Sequence, residues 1–216
     1  MLRCFMINYV SYKINPVSLE DITKFYNPLV INKFCSECTK HNKVWSCPPL
    51  PFKDIDYISK YKYCYIIHSK VYIKAIPSNI LSEMVSHALK KYTDISNGKD
   101  DFTDIFNGLY YSFREFNDSK ILQLEESFTN SIALVSGRCL ICSTCTRETN
   151  TPCRYPEKLR YSLEGLGFDV AGIVENIVGE KIQWSSSIRP EYVTCVSALL
   201  SSDDIDPNEI LNKLTK

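Results

Sequence analysis

Four cysteines, Cys139, Cys142, Cys145 and Cys153, fall within the stretch "SGRCLICSTCTRETNTPCRYPE" at 136–157, and three more, Cys35, Cys38 and Cys47, lie in "CSECTKHNKVWSCPP" at 35–49. A chain with thiols at that density must wrap two loops around them, either as disulfide partners or as ligands. Size argues against the first need. At 216 residues the chain can bury a core without covalent staples. Its 44% hydrophobic and 23% charged content, with 7 glycines and 10 prolines, is that of a folded globular protein.

Compartment argues the same way. "MLRCFMINYVSYKINPVSLED" has no continuous apolar run followed by a small-residue cleavage site, and no later segment approaches a membrane-spanning apolar length. The expected location is the cytoplasm, where thiols are kept reduced, so ten cysteines point to metal binding or redox chemistry. Positive and negative side chains balance at 25 each, so no global field attracts nucleic acid or anionic lipid, and neither nucleic acid nor a membrane is an expected partner.

Patterning predicts a mixed architecture. "SLEDITKFY" at 18–26 opens with Ser18 three residues before Asp21, a capping-box arrangement that starts a short helix. Pro48, Pro49 and Pro51 predict an extended loop over the first cysteine group. Aromatic and β-branched residues at 61–76 predict a strand; apolar residues at helical spacing predict one helix from Asn79 and a second through Phe102, Ile105, Phe106, Leu109, Tyr110 and Phe113, separated by "SNGKDD". "SIALVSG" at 131–137 reads as a buried strand entering the second cysteine loop, "PEKLRYSLEGLG" as a helix leaving it and ending at Gly167, and "FDVAGIVENIV" and "EYVTCVSALL" as strands. No internal repeat is evident. The expectation is an α+β (or α/β) fold, a layered sheet-and-helix domain spanning 1–216, with cysteine loops at 35–51 and 137–156.

In the second loop the spacing C-x2-C-x2-C, closed by Cys153 after seven residues, suits a 4Fe-4S cluster, because thiolates two residues apart converge on one cube when the backbone curls around it. The gap to the fourth cysteine is longer than in the ferredoxin run, and Arg154 stands where proline would follow. Ser143, Thr144 and Thr146 are small enough to let backbone N–H groups approach the sulfurs. Arg138, Arg147, Arg154 and Arg160 read either as partners of an anionic cluster or ligand, or as a solvated basic loop. Zinc is the alternative metal, since four thiolates also build a tetrahedral site, although zinc ligands usually come as two separated pairs.

In the first loop Cys35, Cys38 and Cys47 leave a fourth position open. Cys64, His41, solvent or a substrate can close it, and with His41 the set would equally make a Cys3His zinc site. Trp45, Pro48 and Pro49 are candidates to shield the site. Cys4, Cys64 and Cys195 have apolar surroundings and read as small buried hydrophobes, Cys64 alone having a second role as ligand. Glu125 with Glu126, and Asp203 with Asp204, read as solvated acids, and His68 and His87 as structural or exposed.

Taken together, "CSECTKHNKVWSCPP" and "SGRCLICSTCTRETNTPCRYPEKLRYSLEGLGFDV" resemble the predicted metal-binding proteins of domain of unknown function 2284, over roughly residues 30 to 200. The resemblance implies a cysteine-bound metal centre of iron-sulfur type and no established reaction. It places motif positions on Cys35, Cys38, Cys47, Cys139, Cys142, Cys145 and Cys153, followed by Pro156, Glu157, Arg160, Ser162, Glu164 and Gly167. Tyr161, Leu163 and Leu166 depart from the family pattern and bear on packing rather than ligation.

Three functions are compatible with these residues. The first is a cytoplasmic iron-sulfur protein with one 4Fe-4S cluster, or two, passing electrons to or from a redox partner protein. The second is an iron-sulfur enzyme with an open iron site beside Arg138, Arg147 or Arg154, for which no P-loop, dinucleotide fingerprint or nucleophile triad supplies a named reaction. The third is a zinc-stabilised interaction domain.

Overall fold

A computed structural model describes residues 6–96, 101–184 and 189–216, with the side chain of residue 101 left aside. Its centre is a four-stranded antiparallel sheet in the order β1-β2-β4-β3. The strands are β1 (Val10–Ser18), β2 (Tyr63–Tyr72), β3 (Ser131–Leu134) and β4 (Tyr192–Ser201). The helices are α1 (Leu19–Thr23), α2 (Pro28–Glu37), α3 (Asp54–Ile58), α4 (Ser78–Lys91), α5 (Asp101–Ser127), α6 (Val170–Ile173) and α7 (Pro207–Leu214). This is an α+β fold.

β2 and β4 are buried almost throughout because both faces of the sheet are covered. Successive strand residues point to opposite faces, so Cys64, Ile66, Val196, Ala198, Leu200 and Leu134 share one face and pack on Ile22, Ile58 and the segment from Leu163 to Val178. Tyr65, Ile67, Val71, Val193, Cys195 and Leu199 share the other and pack on α4, α5 and α7. Three layers result, with the sheet in the middle.

β1 is an edge strand in which Pro16 is paired with Tyr65 and costs no ladder bond on the open side. α1 starts as its sequence predicts: Asp21 N–H donates to Ser18 Oγ at 3.0 Å, and the Ser18 hydroxyl donates to the Asp21 carboxylate at 2.8 Å. α4 and α5 pack side by side, and Gly108 makes this possible, since a Cβ there would sit 2.9 Å from Val85 Cα.

Two predicted elements differ. "FDVAGIVENIV" is not a strand but α6 running into a π-helical turn, Val174–Val178. Buried Val170, Ile173, Val174 and Val178 lie at helical spacing, and Asp169 caps the start by accepting from Gly172 N–H at 3.0 Å, which overrides the β-propensity of the valines and isoleucines. "PEKLRYSLEGLG" forms two 3-10 turns, Pro156–Lys158 and Glu164–Leu166, with extended chain between them. There Val135 N–H donates to Tyr161 O at 2.9 Å and Arg160 reaches Glu125, so the stretch is drawn along the sheet end and cannot close a helix. Gly167 does end the second turn, at φ +84°, as its place after the leucines predicts.

Candidate metal centres

The second cysteine loop is entered from β3 through Val135, Ser136 and Gly137. Ser136 is anchored on three sides: its N–H donates to Asp118 on α5 at 3.2 Å, its hydroxyl to Val196 O at 3.1 Å, and it meets Ser197 Oγ at 3.0 Å. Asn117 continues this buried network to Ser69 and Ser197. Gly137 then turns the chain at φ +62°, with the Arg114 guanidinium 3.4 Å from where a Cβ would lie, so the turn has both the conformation and the close approach that glycine permits.

Beyond that turn Cys139, Cys142, Cys145 and Cys153 all line one cleft, with Val44, Trp45, Ile141 and Tyr155 on its walls. Backbone N–H groups face two of the sulfurs: Trp45 N–H lies 3.4 Å from Cys145 Sγ, and Ile141 N–H faces Cys139 Sγ. Such donors favour a thiolate over a thiol. Burial nevertheless pushes the Cys139 thiol up to about 11, so without a cation it keeps its proton. Metal uptake must release that proton.

Cys35, Cys38 and Cys47 line a second cleft of about 250 Å³, together with His41, Arg114, Arg138 and Glu164. Cys35 is in the last turn of α2 and Cys38 is its C-cap, so the first loop begins later than its prolines suggest. Asn27 accepts from Val30 N–H, Pro28 fills the first helical turn, and prolines at 48, 49 and 51 act only downstream. Lys40 N–H lies 3.5 Å from Cys38 Sγ. Burial pushes the Cys47 thiol up to about 11 and raises that of Cys35, to which the nearby Cys38 and Glu164 charges add.

The two clefts share a wall. Val44 and Trp45 face the second, Ser46 and Cys47 the first, and Ser46 Oγ accepts from Cys139 N–H at 2.8 Å. Arg147 clamps this wall: it donates to Val44 O (3.0 Å), Cys47 O (2.6 Å), Pro49 O (2.6 Å) and Asn42 Oδ1 (2.9 Å), and its guanidinium stacks on Trp45. Trp45 thus belongs to the second cleft, not the first-loop site its sequence position suggests, and its indole N–H donates to Thr151 O at 3.1 Å. Pro48 does line the first cleft.

The other loop arginines are engaged as well. Arg138 pairs with Asp94, Arg154 donates to Thr144 O, and Arg160 pairs with Glu125 at 2.7 Å. They are not a solvated basic loop: they tie loops together, and Arg138 and Arg154 also line the first and the second cleft respectively. Glu125 is correspondingly not a solvated acid, since it also accepts from Ala133 N–H at 2.7 Å.

Cys64 is fully buried among Ile66, Leu134 and Leu200, away from both clefts, and is a core residue rather than a fourth ligand. Cys195 is likewise buried, while Cys4 lies outside the described residues. All nine described cysteines are free thiols. His68 is buried and His87 pairs with Glu115. Among the described residues no group of three or more Cys, His, Asp or Glu side chains meets the geometry of a single bound ion, and no helix is long and apolar enough to cross a membrane. The thiols stand around the walls of the two clefts, and as soft sulfur donors backed by N–H groups they fit a thiolate-bound metal or cluster.

Glu164, a motif position by resemblance with no role legible in the sequence, also stands at the first cleft. Burial raises its carboxyl, its Oε2 has no hydrogen-bond partner, and it lines the three-cysteine cleft.

Neither a curated protein nor a solved structure matches the chain significantly. The sequence profile of the predicted metal-binding proteins, DUF2284, matches residues 21–201, a span that holds both cysteine groups and the strands β2, β3 and β4. The chain belongs to that predicted metal-binding family.

Proposed function

We propose that the protein is a cytoplasmic iron-sulfur protein that passes electrons to or from a protein partner. Cys139, Cys142, Cys145 and Cys153 would hold a 4Fe-4S cluster, and Cys35, Cys38 and Cys47 a second metal centre. The single observation that carries this reading is the convergence of all four second-loop thiols on one cleft, with backbone N–H groups from Trp45 and Ile141 facing two of the sulfurs. The tight C-x2-C-x2-C spacing favours a cluster over zinc, whose ligands usually come as two separated pairs. When bound, a cluster of this kind supplies a one-electron couple whose potential is set by hydrogen bonds to the sulfurs and by burial.

The chain's own residues would tune and connect the centres. Trp45 N–H reaches Cys145, while Cys47, two residues on, lines the other cleft and closes a turn by donating its N–H to Val44 O at 2.9 Å, so at most about 7 Å of chain separates the two. That proximity suits electron exchange between the two. A docking face beside the first centre would draw on Val30 and Phe34, one turn apart on α2 and 42% and 66% exposed, Phe34 being next to Cys35 in the chain. An exposed apolar helix face suits a protein partner, and the even charge balance gives nucleic acid no foothold.

The test is the spectrum of protein purified without oxygen. Broad visible absorption that bleaches on reduction, with a reduced-state EPR signal, is expected; a colourless protein with zinc and no EPR signal would make it a zinc-stabilised interaction domain instead.

A further inference from the structure

We propose that Glu164 supplies the fourth protein ligand at the Cys35, Cys38 and Cys47 centre, setting one carboxylate oxygen beside three thiolates. This rests on the reading of the first loop as a metal centre and goes beyond it by fixing the donor set.

Two packing contacts bring this glutamate to the thiols. α2 packs on the Glu164–Leu166 turn: Asn27 N–H donates to Gly167 O at 2.9 Å, and a Cβ on Gly167 would lie 3.0 Å from Pro28, so the helix bearing Cys35 sits close to the turn. From the other side Ser46 O comes within 3.0 Å of where a Cβ on Gly165 would lie, which brings Cys47 alongside. Glu164 therefore lines the same cleft as Cys35, Cys38 and Cys47, close enough for its charge to act on the Cys35 thiol.

The carboxylate is held but incompletely satisfied. The Ser162 hydroxyl and the residue's own N–H face it, while Oε2 is buried with no hydrogen-bond partner. Arg114 lines the same cleft and its charge favours the Glu164 carboxylate, but it makes its ion pair with Asp118 and gives Oε2 no hydrogen bond. A buried carboxylate oxygen without a partner is costly, and a cation held by the three neighbouring thiolates would satisfy it. Cys64 is remote in the core, which leaves His41 as the competing donor. A carboxylate is a harder ligand than a thiolate and is displaced more readily from a soft metal, so the first centre would have one exchangeable position where the second has four thiolates.

The test compares Glu164→Gln, Glu164→Cys and His41→Ala with the wild-type chain and Cys35→Ser, all purified without oxygen. Metal per chain, visible absorption and the rate of metal transfer to a chelator are measured, with far-UV circular dichroism to check folding. The expected result is metal lost from the first centre about tenfold faster in Glu164→Gln, metal retained with an altered absorption band in Glu164→Cys, and wild-type behaviour in His41→Ala. Unchanged release in Glu164→Gln, or loss in His41→Ala instead, overturns the assignment to Glu164 while leaving the first centre standing. Wild-type metal content in Cys35→Ser overturns the assignment and the first-loop centre together, and leaves the second-loop cluster untouched. If Glu164→Gln fails to fold, Glu164→Cys decides: an absorption band identical to wild type overturns the proposal.

Discussion

The backbone N–H of Trp45 lies 3.4 Å from the sulfur of Cys145, across 100 residues of chain. Through this contact the first cysteine loop forms part of the wall around the thiols of the second, so the two candidate centres are one structural unit. Loosening either loop is expected to disturb both.

Arg147 holds that unit together through four acceptors and Trp45. Lysine keeps the charge but not the planar fork. Arg147→Lys is expected to lower stability by about 2 kcal/mol and to speed metal loss from both loops. Denaturant midpoints and chelator transfer check this; loss confined to one loop would contradict the shared wall.

Cys64 and Cys153 separate core thiols from ligand thiols. Cys64→Ala is expected to leave metal content unchanged and to cost about 1 kcal/mol, since it removes a small buried hydrophobe. Cys153→Ser is expected to remove the second-loop metal. Iron and zinc per chain decide between the two behaviours.

Gly108→Ala probes the packing of α4 on α5 at a residue that lines neither cleft. Alanine is the better helix former by about 1 kcal/mol, but its Cβ would meet Val85 Cα at 2.9 Å, and backbone cannot step aside as a side-chain tip can. A net loss of about 1–2 kcal/mol with unchanged metal content is expected, read from thermal or denaturant unfolding.

His68 gives the fold a pH dependence. Burial is the main cause that lowers its pKa from 6.5 to about 4, with Glu180 opposing and Lys70 and Lys13 adding to the shift. Between those values the unfolded chain binds a proton that the folded chain does not, so this contribution is whole above about 6.5 and is lost as pH falls towards 4. Asp118 acts in the opposite sense, because burial raises its carboxyl from 3.8 to about 6 and its contribution is lost as pH rises through that range. His68→Gln is therefore expected to lose less stability than wild type between pH 6.5 and 4. Equal losses in denaturant titrations across that range would contradict the assignment.

The layered fold and the spacing of the seven cysteines were legible in the sequence because each rests on a local signal: aromatic and β-branched residues in β2, helical spacing in α4 and α5, and short cysteine intervals. The capping of α1 by Ser18 was legible for the same reason. What stayed hidden depends on partners distant in sequence. The stretch after Pro156 is extended because Tyr161 O meets Val135 and Arg160 meets Glu125, neither of which spacing encodes. β-branched residues made α6 look like a strand although Val170, Ile173, Val174 and Val178 already carried the helical period. The role of Trp45 and the position of Glu164 emerge only when α2, the first loop and the 162–167 turn are packed together.

The most direct test of the account is the number of irons and acid-labile sulfides per chain in protein purified without oxygen, with Cys139→Ser measured beside it. About four irons and four sulfides at the second loop, lost in Cys139→Ser, are predicted, with any further metal assigned to the first loop. Zinc without sulfide, or iron content indifferent to Cys139→Ser, would contradict the iron-sulfur account.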